Sequence, residues 1–367
     1  MAPALRSRTL KKNDFPTFFK PLKPILFSES LSTKPSPIPP NIRSLSWSPT
    51  GTLIATCTGA DCRIWNSDRP NVKSSTQLKN AHAKGGVEYG TPGVAGDTVE
   101  RVAFCPTTEG VLASTGLDGM VRLWDVRAPG AATGVSGKGT ALADCKTGGD
   151  SAFLTWHPNG QDMLVGRRDD VVHSVDVRRM NGIDGTAQYE LQCERKMDRG
   201  KHILYAMAFS NSGREVFATT QEGSVRILDY PTMSHLHTLS GHTAAAYTVA
   251  QSPTGGYVAI GSGDSTISMW DTSMWLTTHT LSAPSQVTSV RDLSFSFDGS
   301  YVVAGAGPDS KDGVPGLNIF HADTGDVVHT IETTHCPSYV AWHPTRYWLA
   351  FAGDAGGMKV LGSGTGL

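Results

Sequence analysis

A two-part pattern returns seven times along this 367-residue chain, and it limits the possible folds more than any other feature. The first part is an aromatic residue, or its substitute, that closes an alternating run just before a turn: Trp47, Phe104, Trp156, Phe209, Gln251, Phe295 and Trp342. The second part closes a short apolar run: Trp65, Trp124, Val175, Leu228, Trp270, Phe320 and Leu361. The separations are 18, 20, 19, 19, 19, 25 and 19 residues. Around the second part the copies are close relatives: LDGMVRLWD at 117–125, QEGSVRILD at 221–229 and GDSTISMWD at 263–271. Each copy reads as strand, turn, small-residue apolar strand, tight turn such as Asp118-Gly119, and third strand. A fourth strand is expected in the spacer, as in HLHTL at 235–239. Such a four-stranded sheet leaves apolar residues on both faces, so it must be covered on both. Seven sheets in a ring do this for one another, and the prediction is an all-β, seven-bladed β-propeller.

Composition agrees and removes some function classes. Forty glycines supply the turns. The 32 basic and 33 acidic residues leave a net charge of −1, which excludes a basic nucleic-acid binder or an acidic solvating chain by composition. Cys57, Cys62, Cys105, Cys145, Cys193 and Cys336 form no CxxC pair, and no Asn-x-Ser/Thr sequon occurs, so a reduced, intracellular compartment is expected. No apolar run approaches the ~20 residues of a membrane helix, and no signal-peptide core follows Met1. Arg6, Arg8, Lys11 and Lys12 stand without an acid; they mimic a transit peptide, but a disordered basic tail is expected.

These residues resemble WD40 repeats over about 41–361. The resemblance implies a ring closed by an N-terminal strand that completes the last blade. The best donor is Pro24-Ile-Leu-Phe27, with Lys34–Pro40 as a stiff connector; the other candidate lies nearer Ser44, leaving 1–35 as a free tail. The expected organisation is 1–40 extension, 41–362 propeller and 363–367 tail. Long spacers, including Lys84–Asp97, and an inner-turn insertion near Pro308–Gly316 mark decorated loops.

Candidate chemistry is sparse. Ser262, His242 and Asp264 look like a hydrolase triad, but no Gly-x-Ser-x-Gly elbow surrounds Ser262. The WD40 resemblance implies a structural tetrad instead: His242 bridging Ser262 and Asp264, with Ser262 bonded to the Trp270 indole. Asp118 holds the same position in the second copy. His235-x-His237 falls on an exposed strand, and Cys57 with Cys62 lacks a partnering pair, so no metal site is expected. Gly134–Thr140 lacks the phosphate-loop spacing, and no catalytic residue, cofactor or metal is assigned. The eight basic residues between 167 and 201, among them Arg167, Arg195, Lys196, Arg199 and Lys201, are interleaved with seven acids and read as a solvated face; RNA contact is a weak alternative. The three phenylalanines in Asp14–Lys23 either pack on the ring or dock on a partner.

The WD40 resemblance implies contacts at the start of each inner strand, four residues before the first anchor. Here those positions are Arg43, Glu100, Ala152, Tyr205, Tyr247, Arg291 and Ser338, joined by Arg168; Arg43, Glu100, Arg168, Tyr205, Tyr247 and Arg291 form the candidate interaction rim. The eccentric copies, WHPNGQDMLVGRRDDVVHSVD, FSNSGREVFATTQEGSVRILDYP and SYVAWHPTRYWLAFAGD, resemble the WD-repeat subunits of the THO complex, the THO complex subunit 3 family. That implies a nuclear, non-catalytic scaffold in the TREX assembly, which couples transcription to messenger RNA packaging and export. The implied partners are the large helical scaffold subunit and other THO subunits, and indirectly an RNA helicase and export adaptors, with no membrane. The alternative is another WD40 adaptor, such as a histone-peptide reader or ubiquitin-ligase adaptor; arginines on the rim disfavour the acidic pocket of a histone reader.

Overall fold

The computed structural model describes residues 9–27, 42–59, 61–69, 75–78, 81–82, 99–127, 141–179, 188–190, 204–282, 288–307, 316–353 and 357–362. Lys34–Pro40, Lys84–Asp97, Gly134–Thr140, most of the Pro308–Gly316 insertion, Cys193, Arg6, Arg8, Arg195, Lys196, Arg199, Lys201 and the tail 363–367 lie outside the described residues. Within them are seven four-stranded antiparallel sheets. Six are contiguous in sequence, each with strands a to d running outward from the channel; the second, for example, is Val99–Phe104, Val111–Gly116, Met120–Asp125 and Ala143–Lys146. The seventh has Tyr339–Trp342, Leu349–Ala352 and Met358–Leu361 as strands a to c. Its outer strand is Ile25–Phe27, paired antiparallel so that Ile25 faces Val360 and Phe27 faces Met358. The ring is thus closed by the N-terminal segment, at the Pro24–Phe27 donor.

The core is divided among the seams between sheets. Seven apolar clusters are buried, each shared by neighbouring blades; Cys57, Ile64 and Leu78 of blade 1, for example, meet Val102, Phe104 and Trp124 of blade 2. The blade 7–blade 1 seam is filled likewise by Phe27, Ile42, Ile54, Trp65, Ala350 and Val360. This explains why strand b is apolar on both faces: Leu349–Ala352 and Tyr301–Ala306 are buried throughout.

Hydrogen bonds also stitch neighbouring inner strands. Ser46 Oγ accepts the Phe104 N–H at 3.0 Å, and Ser294 Oγ accepts that of Trp342 at 2.9 Å. The Trp47 indole donates across the closing seam to the Ala341 carbonyl at 3.0 Å, and Trp156 does the same to Ala103 at 3.1 Å. Trp47 and Trp156 therefore join blades as well as fill them, whereas the buried indole N–H of Trp342, the third first-anchor tryptophan, has no such partner among the described residues.

The N-terminal phenylalanines pack on the ring. Pro16 opens a one-turn helix, Phe15–Phe19, which buries Phe15 and Phe19 against Tyr301, Trp342 and Tyr347 of blades 6 and 7. The Phe15 ring lies 3.9 Å from that of Tyr301 and 4.5 Å from that of Phe19. The Tyr301 hydroxyl donates to the Leu10 carbonyl at 2.8 Å, and the Leu10 N–H donates to the Tyr347 hydroxyl at 3.0 Å. Lys12 is ion-paired with Asp326.

Candidate interaction face and buried tetrads

Blade 2 holds a complete polar network that the sequence pattern had hidden. His82 is fully buried. Its Nδ1 lies 2.8 Å from Asp118 Oδ1 and its Nε2 2.7 Å from Ser114 Oγ, while the Trp124 indole donates to the same Oγ at 2.9 Å. A carboxylate accepts only, so Nδ1 carries the proton and Nε2 accepts from Ser114. Burial lowers the His82 pKa, against the pull of Asp118, so the neutral ring is favoured. Burial alone would raise Asp118, but bonds from His82 and Arg122 hold its carboxyl below the usual range. Asp118 of the tight turn is therefore framework.

Blade 5 has the same network with one member replaced. His242 Nδ1 lies 3.0 Å from Asp264 Oδ2, but its Nε2 meets Ser268 Oγ at 2.8 Å, and the Trp270 indole also donates to Ser268 at 2.8 Å. Ser262 is not the bridging serine. Its Oγ donates to the Ala244 carbonyl at 3.0 Å and accepts the Asp264 N–H at 3.3 Å. The register explains this. The position matching Ser114 in strand b is Ile260, whose cross-strand neighbour is Ser268. The hydroxyl has moved to the adjacent strand and still reaches the same imidazole. Ser262 lies two residues further along, on the same face but beyond reach.

The metal candidates stay apart from any cluster. His235 and His237 lie on the exposed strand His235–Ser240, and no group of three potential metal ligands occurs among the described residues. Cys57 and Cys62 face each other across strands b and c of blade 1, fully buried; burial pushes the Cys57 thiol up to about 12 and raises Cys62 as well. Such thiols are held as unreactive core residues.

Rim positions share a structural cause. In blades 1 to 6 the pairing of strands a and b skips at the start of strand a, between Ile42 and Ser44, Val99 and Arg101, Ser151 and Phe153, Leu204 and Met207, Ala246 and Thr248, and Val290 and Asp292. Arg43, Glu100, Ala152, Tyr205, Tyr247 and Arg291 fall in those skips. A bulged residue leaves the alternation of the sheet, which re-aims its side chain. The structure gathers these side chains into two groups. Arg43 is ion-paired with Glu100, and Arg168 reaches the other Glu100 oxygen at 3.7 Å. Tyr205 and Tyr247 meet edge to face at 4.8 Å, and the Arg291 guanidinium lies 4.0 Å over the Tyr247 ring. Burial, and then Tyr247, raise the Tyr205 hydroxyl, so it stays protonated and able to donate at neutral pH.

One step inward are residues that the rim rule passed over: Arg101, Asp292 and Tyr339, each three residues before its anchor. Arg101 donates to the Arg43 carbonyl at 3.1 Å and lies 5.5 Å over the Tyr339 ring. Asp292 accepts the Val340 and Leu293 N–H groups, each at 3.0 Å, and burial raises its pKa to about 6. Applying the anchor spacing one residue further along would have found all three.

The chain matches the family of the WD domain, G-beta repeat, at residues 34–66, 92–125, 233–271 and 275–314. It is 31% identical to THO complex subunit 3 of Arabidopsis thaliana over 85% of this chain and 86% of that protein. It is 28% identical to the WD repeat-containing protein AAC3 of Dictyostelium discoideum over 84% of this chain, which spans 61% of that protein. Among solved structures, the Cps50 (Swd1) beta-propeller domain of Myceliophteria thermophila superposes with a TM-score of 0.68, covering 89% of this chain and 97% of that one at 17% identity, a likeness of fold alone.

Proposed function

We infer the function from one fact: the chain belongs to the WD40-repeat family of THO complex subunit 3. In this role it is a nuclear, non-catalytic scaffold of the THO complex within TREX, where transcription is coupled to messenger RNA packaging and export. It docks on the large helical scaffold subunit and other THO subunits, and reaches an RNA helicase and export adaptors through them. The observation that carries this is the identity to THO complex subunit 3, which spans 85% of this chain and 86% of that protein.

The site geometry supports docking over chemistry. Ser268, the hydroxyl on His242, is buried and holds the Trp270 indole, so no substrate can approach it without opening the blade. Ser262 has no imidazole against it. By contrast, the rim presents arginine and tyrosine, residue types that dominate protein contacts. Affinity purification of the full chain from nuclear extract, followed by mass spectrometry, tests the proposal. THO subunits are expected among the recovered proteins; recovery of none of them overturns it.

A further inference from the structure

We propose that the Tyr205–Tyr247–Arg291 half of the rim takes an acidic, extended segment of a partner protein, with one carboxylate seated on the outer N–H edge of the Arg291 guanidinium. The inference rests on the docking role above and adds the chemistry of the docked segment.

Arg291 differs from the other arginines at the channel mouth. Arg43 and Arg168 converge on Glu100, and Arg101 lies over Tyr339 and bonds a carbonyl. Arg291 is exposed and, among the described residues, has the Tyr247 ring as its contact and no carboxylate. A guanidinium lying over an aromatic ring keeps its N–H edge directed outward. That edge matches both oxygens of a carboxylate, and the stacking holds it in place beforehand. Tyr247 is itself braced edge to face by Tyr205, so three consecutive blades fix one cation.

Charge around the mouth has the same sign. At the rim and the position just inside it the cations are Arg43, Arg101 and Arg291 and the carboxylates Glu100 and Asp292, a small positive excess although the whole chain is balanced. A cationic mouth on a neutral disc selects an acidic partner. Ring geometry favours a peptide over single-stranded RNA. Stacking a base requires an open ring face, whereas Tyr247, the ring beside the guanidinium, already carries Arg291 on its face.

The test is peptide selection on the immobilised full chain from a displayed library of short random sequences. The selected peptides are then measured by fluorescence polarisation, with labelled oligouridine as a parallel probe. Expected are peptides rich in Glu and Asp, whose binding weakens with salt and falls about tenfold in Arg291→Gln. Arg346→Gln is the control, because Arg346 also lies over a ring, that of Trp348 at 4.7 Å, but at the opposite end of strand a and 3.6 Å from Asp68. It is expected to bind like the wild type. The inference is overturned if no peptide is selected, if the selected peptides lack acids, or if Arg291→Gln binds them unchanged. Oligouridine binding that is lost in Arg291→Gln overturns it equally. With any of these results, recovery of THO subunits in the nuclear purification leaves the docking role standing and removes only the rim chemistry.

Discussion

At the residue scale, a buried hydroxyl is judged by the groups it would strand. Ser268→Ala leaves the Trp270 N–H and His242 Nε2 without partners inside blade 5. A loss of about 2–4 kcal/mol in unfolding free energy is expected by denaturant titration, against about 1 kcal/mol for Ser262→Ala. Equal losses would mean that Ser268 is not the bridge. His343 sets a second expectation. Burial, then the charge of Arg346, lowers its pKa to about 4. The unfolded chain takes up a proton on this ring near pH 6.5, while the folded chain refuses it until about pH 4. Stability is therefore lost as pH falls through that window. Asp292, raised to about 6, acts in the opposite sense. The comparison between wild type and His343→Gln isolates the histidine: the variant should lose less stability between pH 6.5 and pH 4.

At the element scale, the N-terminal segment is both the outer strand of blade 7 and a clamp across blades 6 and 7. Phe15 and Phe19 are as buried as any core residue of the ring. Phe15→Ala is expected to cost about 3–5 kcal/mol, read as a lower denaturation midpoint. Amides of Met358–Leu361 should exchange faster than those of Ser224–Asp229, because blade 7 alone depends on this segment. The strand itself was legible as the apolar run Pro24–Phe27. That the phenylalanines pack inward was not, since nothing in Phe-Pro-Thr-Phe-Phe says what surface lies opposite. His82 escaped for a related reason. In blade 5 the histidine stands nine residues before its anchor, but in blade 2 it stands 22 residues before Phe104, with 83–98 between. A long insertion destroys the spacing without disturbing the bond.

At the scale of the whole molecule, stability depends on closing the seam between the last blade and the first. Gly51 sits there with φ of 78°, and a Cβ on it would lie 2.0 Å from the His343 ring. Gly51→Ala adds left-handed backbone strain to a clash with a buried ring. It should cost about 2–3 kcal/mol, and blade 1 and blade 7 probes should then melt before the rest. A single coincident transition for all probes would show that this seam is not the weak point.

Of two candidates for the closing strand the structure took Ile25–Phe27, but the sequence alone determined the number of blades and the strand order within each. These follow from periodicity and from the need to cover both faces of a small sheet, and both are local properties of the chain. The WD40 resemblance, counted from the anchors, also named the rim positions. Only the tertiary structure decided what those positions do. The bulge that turns Arg43 or Arg291 out of the sheet is a skip in pairing and leaves no mark in composition. The choice of Ser268 over Ser262 is a matter of cross-strand register, fixed by which residue lies beside Ile260. The pairing of Arg168 with Glu100, and of Arg291 with Tyr247, joins residues of different blades. Contacts between neighbouring repeats exist only once the blades have packed side by side.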